Sequence, residues 1–264
     1  LNIMGATCAP ALLVRLARAG EDAGGEALWV GDHVVFPREM PRTYGYTPNA
    51  SYFQKSTDDA LEAISVLTYL AGVVRRPKLG LSVLVVPYRN PVLTAKVLTT
   101  LDVLSGGRLI YGVGSGWLEG EFAALDASYE QRGAVTDEYI EIFRRLCTDD
   151  WPRYEGTFYR VPEIGFYPKP VQKPWPPIWV GGNTEAALRR AARLGDGWHP
   201  LGLLPGEIPG RLERLRAHCE AVGRDVRGLT LSLRTWSHVG STAELGDLPV
   251  GQGSLVGDAG DIVD

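Results

Sequence analysis

A carboxylate and an imidazole follow directly on a short apolar stretch near the start of the chain. The segment reads Trp29-Val-Gly-Asp-His33, and the run Ala27–Gly31 predicts a β-strand. In a parallel β/α barrel, Asp32 and His33 would then lie at the carboxyl end of a strand, where catalytic groups collect. An imidazole titrates near neutral pH and can exchange the proton that accompanies hydride transfer at a carbon bearing oxygen. The alternative is a capping aspartate beside a half-buried histidine, since short motifs often match by chance.

Glycine-rich turns follow two later apolar stretches. Val180-Gly-Gly-Asn-Thr-Glu185 leads directly into a predicted helix, whose unpaired N–H groups and dipole form a natural phosphate cradle. Asn183 or Thr184 could instead cap this helix, and the two roles are compatible. The turn Gly112-Val-Gly-Ser-Gly116 lets a ligand approach the backbone closely, although such turns also simply close βα loops. It fits neither a Walker loop nor the dinucleotide fingerprint.

Short apolar, β-branched runs alternate with longer amphipathic stretches along the chain. This alternation predicts βα units around a parallel sheet, and 264 residues suffice for a single (β/α)8 TIM barrel domain, residues 1–264. The predicted strands are Leu1–Met4, Ala27–Gly31, Lys78–Val86, Arg108–Val113, Pro177–Val180, Gly197–His199 and Leu229–Val239. The predicted helices begin at Pro10 and then cover Asp58–Val74, Pro91–Leu104, Gln131–Leu146, Thr184–Leu194 and Glu207–Val222.

The predicted barrel is one strand short, and it carries an excursion. Because Asp258–Asp264 is typical of the start of another helix, we expect the last βα unit to lie beyond Asp264. Between Trp151 and Pro177, a hairpin pattern at Tyr154–Val161 precedes a proline-rich stretch. This hairpin pattern and proline-rich stretch predict an insertion after the fourth strand, of the kind that forms substrate lids on barrels.

Composition and charge limit the kinds of molecule that the protein is expected to bind. A formal net charge of −4 supplies no positive field for nucleic acid or an anionic membrane surface. No apolar run approaches the roughly 20 residues of a membrane helix, and no secretory leader is recognisable. We therefore expect a cytoplasmic protein with a small-molecule substrate. Cys8, Cys147 and Cys219 lie far apart without Cys-x-x-Cys spacing, which predicts buried thiols and no metal site.

Four segments together resemble the bacterial luciferase-like superfamily, and more closely its coenzyme F420-dependent oxidoreductases. They are Leu101-Asp-Val-Leu-Ser-Gly-Gly-Arg-Leu109, Gly112-Val-Gly-Ser-Gly-Trp-Leu-Glu119, Gly181-Gly-Asn183 and Leu194-Gly-Asp-Gly-Trp198. The resemblance implies a barrel with the ring of F420 across its mouth, moving a hydride to or from a small organic substrate. FMN is the alternative cofactor, in a luciferase-like monooxygenase, and a non-catalytic flavin-binding barrel is a further alternative. We also expect a homodimer.

The same resemblance assigns roles to individual positions. His33 matches a proposed acid/base, and Ser82–Val83 matches a non-prolyl cis peptide behind the ring. A phosphate is expected on the backbone N–H groups of Gly181–Thr184. Sugar-phosphate dehydrogenases of this family carry a glutamate directly after the Gly-x-Gly turn, where this chain has Trp117, so that activity is not expected. The positions that match cofactor contacts are Asp32, Ser82, Val83, Ser115, Gly116, Gly181, Gly182 and Asn183.

Overall fold

The computed structural model describes residues 8–41 and 59–235, together with Leu1, Ile3 and the backbone of two further strands. Strands and helices alternate as the sequence predicts. The strands are β1 (Ala27–Val30), β2 (Lys78–Leu81), β3 (Leu84–Val85), β4 (Leu109–Gly114), β5 (Tyr154–Glu155), β6 (Arg160–Val161), β7 (Ile178–Gly181), β8 (Gly197–His199), β9 (Thr230–Leu231), β10 (Ser237–Val239) and β11 (Leu255–Gly257). The helices are α1 (Pro10–Asp22), α2 (Ala63–Ala71), α3 (Pro91–Ser105), α4 (Glu119–Ala124), α5 (Arg132–Thr148), α6 (Glu185–Leu194) and α7 (Ile208–Ala221).

One parallel sheet organises the described residues. Its strand order is β1-β2-β4-β7-β8-β9, with β3 paired to β4, so spatial neighbours follow chain order as in a barrel wall. The architecture is a partial (β/α)8 barrel. β10 and β11 form a separate parallel pair. No helix in the described part of the chain is both long and apolar enough to cross a membrane.

The two faces of the sheet carry different side chains. On the outer face, buried residues such as Leu79, Tyr111 and Ile178 pack against the helices, and Tyr111 meets Phe143 of α5 at 4.8 Å between ring centroids. On the inner face, a side chain at Gly80 would overlap the indole of Trp29. Alternation along each strand therefore separates an aliphatic core from an interior where glycine makes room for aromatic rings.

The predicted strand Lys78–Val86 is interrupted. It divides into β2 and β3 at the Ser82–Val83 peptide, which is cis, as the family resemblance implied. A short 3₁₀ turn at Val86–Tyr88 then leads to α3. The strand prediction failed there because a continuous apolar pattern carries no signal for a break in the ladder.

Other boundaries also differ from the prediction. Leu1 and Ile3 are not in a strand, although the backbone nitrogen of Leu1 donates to the Trp29 carbonyl beside β1. The predicted strand Leu229–Val239 consists of β9 and β10, and α4 was not predicted. The predicted helix at Asp258–Asp264 lies outside the described residues. Cys147 and Cys219 are buried thiols, as predicted, whereas Cys8 is half-buried.

The insertion predicted after the fourth strand is present. β5 and β6 form an antiparallel hairpin, and Glu138 of α5 accepts the backbone N–H groups of Thr157, Phe158 and Tyr159 at its turn. The Glu138 side chain is buried. Because amide donors compensate the buried carboxylate, this residue ties the insertion to the barrel wall.

Charged residues of the family-like segments hold the amino end of the sheet. Arg108 donates to the carbonyls of Ser105, Pro77 and Ala71, which joins the starts of two strands to the end of α2. Asp102, fully buried, accepts the backbone and side-chain amides of Gln172. These motif residues are structural, since they lie at the end of the strands opposite to His33.

We predict that Glu138→Ala lowers the free energy of unfolding by roughly 2–4 kcal/mol, because three hairpin amides lose a charged acceptor. Urea denaturation of the two proteins measures the difference. Glu141→Ala, in the same helix, is the control, since Glu141 is 41% exposed and should contribute under about 1 kcal/mol. Equal losses in the two variants would contradict the role given to Glu138.

Candidate active site

The residues predicted to do chemistry meet at one edge of the sheet. Asp32 and His33 follow β1, Ser82–Val83 follow β2, Ser115 and Gly116 follow β4, and Gly181–Thr184 end β7. Because all of these strands are parallel, their carboxyl ends face the same side. The topology therefore brings the predicted site residues to the mouth of the partial barrel.

His33 forms an ion-pair contact with a residue that the sequence analysis missed. Its Nδ1 lies 2.8 Å from Oε2 of Glu121, in α4. Glu121 is fully buried and also accepts the backbone N–H groups of Val34 and Val35 and the hydroxyl of Tyr88. Burial alone would raise the pKa of Glu121, but the hydrogen bonds and charge of its partners lower it overall.

This contact fixes the protonation pattern of the imidazole. An ionised carboxylate only accepts, so Nδ1 of His33 carries a proton, and in the neutral ring Nε2 has the lone pair. Burial and the nearby charge of Glu121 raise the pKa of Tyr88, so its hydroxyl stays protonated and donates. Within the described residues Nε2 has no hydrogen-bond partner, and the side chain is 12% exposed. His33 therefore presents a basic nitrogen from a half-buried position.

Asp32 is committed to contacts within the protein. Arg89 donates to its two carboxylate oxygens at 2.7 Å each, and the Val85 amide donates at 2.9 Å. Arg89 also contacts Glu62 at 3.1 Å. Burial opposes the charge on Arg89, but the bonds and charge of Asp32 raise its pKa overall. Tyr88 and Arg89, which are adjacent in sequence, therefore hold Glu121 and Asp32, respectively. A contact between Asp32 and the cofactor ring stays a prediction.

A second histidine lies inside the barrel. Nε2 of His199 is 2.9 Å from the Ser82 hydroxyl, and Nδ1 is 2.9 Å from that of Ser232. The ring stacks on Trp29 with centroids 4.7 Å apart. Burial, assisted by the charge of Arg234, lowers the pKa of His199 to about 4. His199 is therefore neutral near pH 7, and Ser82 has the partner that a lone hydroxyl in an apolar strand requires.

Val83 points into space left by glycines of two neighbouring strands. A side chain at Gly114 or at Gly181 would overlap the methyl groups of Val83. The Ser82 carbonyl accepts a hydrogen bond of 2.6 Å from Nη1 of Arg234. Arg234 follows β9, the last strand in the sheet order, so this bond joins the Ser82–Val83 segment to the opposite edge of the sheet. The glycines of β4 and β7 therefore allow Val83 to lie at the barrel mouth, as the resemblance implied.

In the predicted phosphate loop, the side chains of Asn183 and Thr184 form hydrogen bonds within the protein, so a ligand could be bound only through the backbone amides. Thr184 accepts the Ala187 amide and caps α6, and Asn183 exchanges two hydrogen bonds with the Leu201 backbone. The first-turn amides of Glu185 and Ala186 have no acceptor within the helix. Gly182 has φ +104°, a backbone conformation that favours glycine. The capping interpretation is confirmed, and a phosphate would be bound here through the backbone.

Comparison with known proteins gives the family. The sequence profile described as luciferase-like monooxygenase matches residues 4–245. The chain belongs to this family of oxidoreductases and monooxygenases. An uncharacterized protein of Mycobacterium tuberculosis is 35% identical over 212 residues, which is 80% of this chain and 72% of that protein. An FMNH2-dependent dimethylsulfone monooxygenase of Pseudomonas putida is 31% identical over 173 residues, 64% of this chain and 47% of that protein.

A solved structure gives the same fold. An F420-dependent secondary alcohol dehydrogenase, in complex with an F420-acetone adduct, superposes with a TM-score of 0.76 at 17% identity. The match covers 90% of this chain and 68% of that chain. At 17% identity, this similarity establishes the barrel fold alone. The proteins that this chain resembles thus include one named as F420-dependent and one named as FMNH2-dependent.

The sequence analysis missed Glu121, Tyr88 and Arg89. Tyr88 and Arg89 follow the apolar run Leu79–Pro87, so they stand just past the end of a predicted strand, as His33 does. That position was a usable signal for them. Glu121 carried a weaker signal, since it lies in the first turn of a six-residue helix that the sequence analysis did not predict. Within the described residues, no cluster of His, Cys, Asp and Glu could hold a metal ion.

We predict that His199 makes stability depend on pH. Its pKa in the folded protein, about 4, lies below the ordinary value of 6.5, so between these values the unfolded chain binds a proton that the folded one does not. Stability is therefore complete above about pH 6.5 and falls by about 3 kcal/mol as the pH drops towards 4.

Urea denaturation at several pH values measures this slope. His199→Gln should flatten it, because glutamine does not titrate. His218→Gln is the control, since His218 is 25% exposed and pairs with Glu185 at the surface. An unchanged acid slope in the His199 variant would rule out His199 as its source.

Proposed function

We propose that this protein is an F420-dependent oxidoreductase that transfers a hydride between the deazaflavin and a small organic substrate, at a carbon bearing oxygen. The contact between His33 and Glu121 carries this proposal. Hydride transfer at such a carbon requires a proton to leave or reach the oxygen, and a histidine whose other nitrogen is held by a carboxylate suits that step. The family membership and the position of His33 at the barrel mouth support the same role.

The residues supply the proton and its control. In alcohol oxidation, Nε2 of His33 accepts the hydroxyl proton of the substrate, and in carbonyl reduction the imidazolium returns it. Glu121 stabilises the positive charge that forms on the ring, while the Val34 and Val35 amides hold the carboxylate in place. The cofactor, when bound, supplies or accepts the hydride.

The barrel mouth fits a cofactor with a flat ring and a phosphate. Val83, seated against Gly114 and Gly181, offers an apolar surface on which a ring would rest. The amides of the segment Gly182–Ala186 offer donors for a phosphate, aided by the dipole of α6. Asp32, Ser82, Ser115 and Gly116 remain proposed neighbours of the cofactor on the strength of the family resemblance.

An FMN-dependent monooxygenase is the second candidate, and one observation favours it. The Pseudomonas putida relative, named as FMNH2-dependent, is 31% identical to this chain. Titrating the protein with F420 and with FMN, followed by absorbance and fluorescence, distinguishes the two cofactors. Tighter binding of F420, with reduction of a carbonyl compound in the absence of oxygen, supports the leading proposal. Preference for FMN and oxygen-dependent turnover would replace it with the second.

We predict that His33→Ala lowers kcat by about a hundredfold or more and changes the Kd of the cofactor little, because a general acid/base acts on the substrate. Glu121→Gln should lower kcat by about tenfold or more, because the amide oxygen can still accept Nδ1–H of His33 but the neutral group stabilises the ring charge poorly, and its NH2 cannot accept the Val34 and Val35 amides. Steady-state kinetics and cofactor titration measure the two effects. Unchanged turnover in His33→Ala would remove this residue from the mechanism.

We predict that a negative charge at Gly182 weakens cofactor binding. Gly182→Asp and Gly182→Asn are matched in size and in strain at φ +104°, so only the charge separates them. Coulomb repulsion of a phosphate at α6 should make the Kd of the aspartate variant at least about tenfold higher. Equal affinities would place the phosphate elsewhere.

A further inference from the structure

The surroundings of His33 are apolar and aromatic. The Phe36 ring lies 5.2 Å from the imidazole centroid, and the Trp117 ring meets it edge-on at 6.2 Å. The two aromatic residues come from the segment after β1 and from the turn after β4. Val34 and Val35, in the first of these segments, are 37% and 40% exposed. A molecule that reaches Nε2 of His33 therefore meets hydrocarbon and aromatic surface.

The charges beside this surface disfavour an anion. Asp32 and Glu62 hold the guanidinium of Arg89, and a third carboxylate, that of Glu121, lies against His33. Arg89 is engaged by two of them, so its charge is already compensated. Arg38 and Glu39, farther along the segment after β1, are both exposed and offset one another. Among the groups linked to His33 and Asp32 by ion pairs, three carboxylates thus outnumber one guanidinium, which disfavours an anionic substrate beside His33.

The aromatic rings give this environment a preference in shape as well as charge. Offset or edge-to-face contact with a second ring stabilises a complex beyond the contribution of the buried area. Nε2 of His33 supplies a hydrogen-bonding group at the position where a carbonyl or hydroxyl oxygen is needed. A ring-bearing compound with one such oxygen satisfies each of these contacts.

From these contacts we infer that the substrate is a neutral ketone or secondary alcohol that carries an aromatic or other apolar ring, and that Trp117 is a specificity-determining residue for it. The inference rests on the proposed function for the role of His33. The ring of the substrate lies against Trp117 and Phe36, and its oxygen faces His33. Anionic substrates of the same size are rejected by the carboxylates at the barrel mouth.

Two ketones of equal size test the inference. 4-Methylacetophenone is neutral, and 4-acetylbenzoate carries a carboxylate in place of the methyl group. Their Kd values are measured by saturation-transfer NMR on the full protein, without added cofactor and with F420. We expect the neutral ketone to bind at least about tenfold more tightly. Equal or tighter binding of 4-acetylbenzoate, or no binding of either ketone, overturns the inference.

Variants of Trp117 test the specificity residue. Trp117→Ala should raise the Kd of 4-methylacetophenone about fivefold or more, and Trp117→Phe should restore most of the affinity. Trp151→Ala is the control, because Trp151 is 67% exposed and lies in the segment after α5. Equal effects of the Trp117→Ala and Trp151→Ala substitutions would exclude Trp117 from the substrate site.

The binding and kinetic results separate this inference from the proposed function. Selective binding of the neutral ketone without its reduction by F420 would support the substrate class and count against hydride transfer. Reduction of 4-acetylbenzoate in preference to the neutral ketone would support hydride transfer and overturn the substrate class.

Discussion

The buried carboxylate of Glu121 is the interaction on which the candidate site depends. An isolated charge removed from water costs several kcal/mol, and the cost is offset only when its oxygens are satisfied. Here two backbone amides, a phenol and an imidazole satisfy them. The four donors come from two segments separated by more than fifty residues of sequence, so this one carboxylate fixes the segment after β1 against the segment after β3. These hydrogen bonds also set the orientation of His33.

Buried carboxylates connect loops to the sheet throughout the fold. Asp32 binds Arg89 and the Val85 amide, Glu138 binds the hairpin turn, and Asp102 binds Gln172. Asp196, which is half-buried, similarly accepts the Trp175 indole and the Ile178 amide. In each case the acid accepts a backbone N–H group from a loop or from the end of a strand, which is the condition for burying such a group. The amino end of the sheet, beside Asp102, and the carboxyl end, beside His33, are therefore built by the same means.

Local patterns predicted what local physics determines. The βα alternation, the Thr184 cap and the hairpin of the insertion each depend on residues close in sequence, and the structure contains all of them. The contact between His33 and Glu121 spans 88 residues, so neither segment alone carries a sign of the other. The break after Leu81 was likewise invisible in an unbroken apolar pattern and came only from the family resemblance. Cofactor contacts depend on a ligand and stay predictions.

His33 and His199 show how surroundings assign different roles to one residue type at one edge of a sheet. Both nitrogens of His199 are engaged by serine hydroxyls, and its lowered pKa keeps it neutral, so it has no free position from which to exchange a proton. His33 uses one nitrogen to bind a carboxylate, and its other nitrogen has no hydrogen-bond partner among the described residues. A carboxylate partner stabilises the imidazolium as it forms, whereas hydroxyl partners in a buried site do not. These surroundings support the proposal that the histidine held by Glu121 is the acid/base, whereas His199 belongs to the packing of the barrel interior.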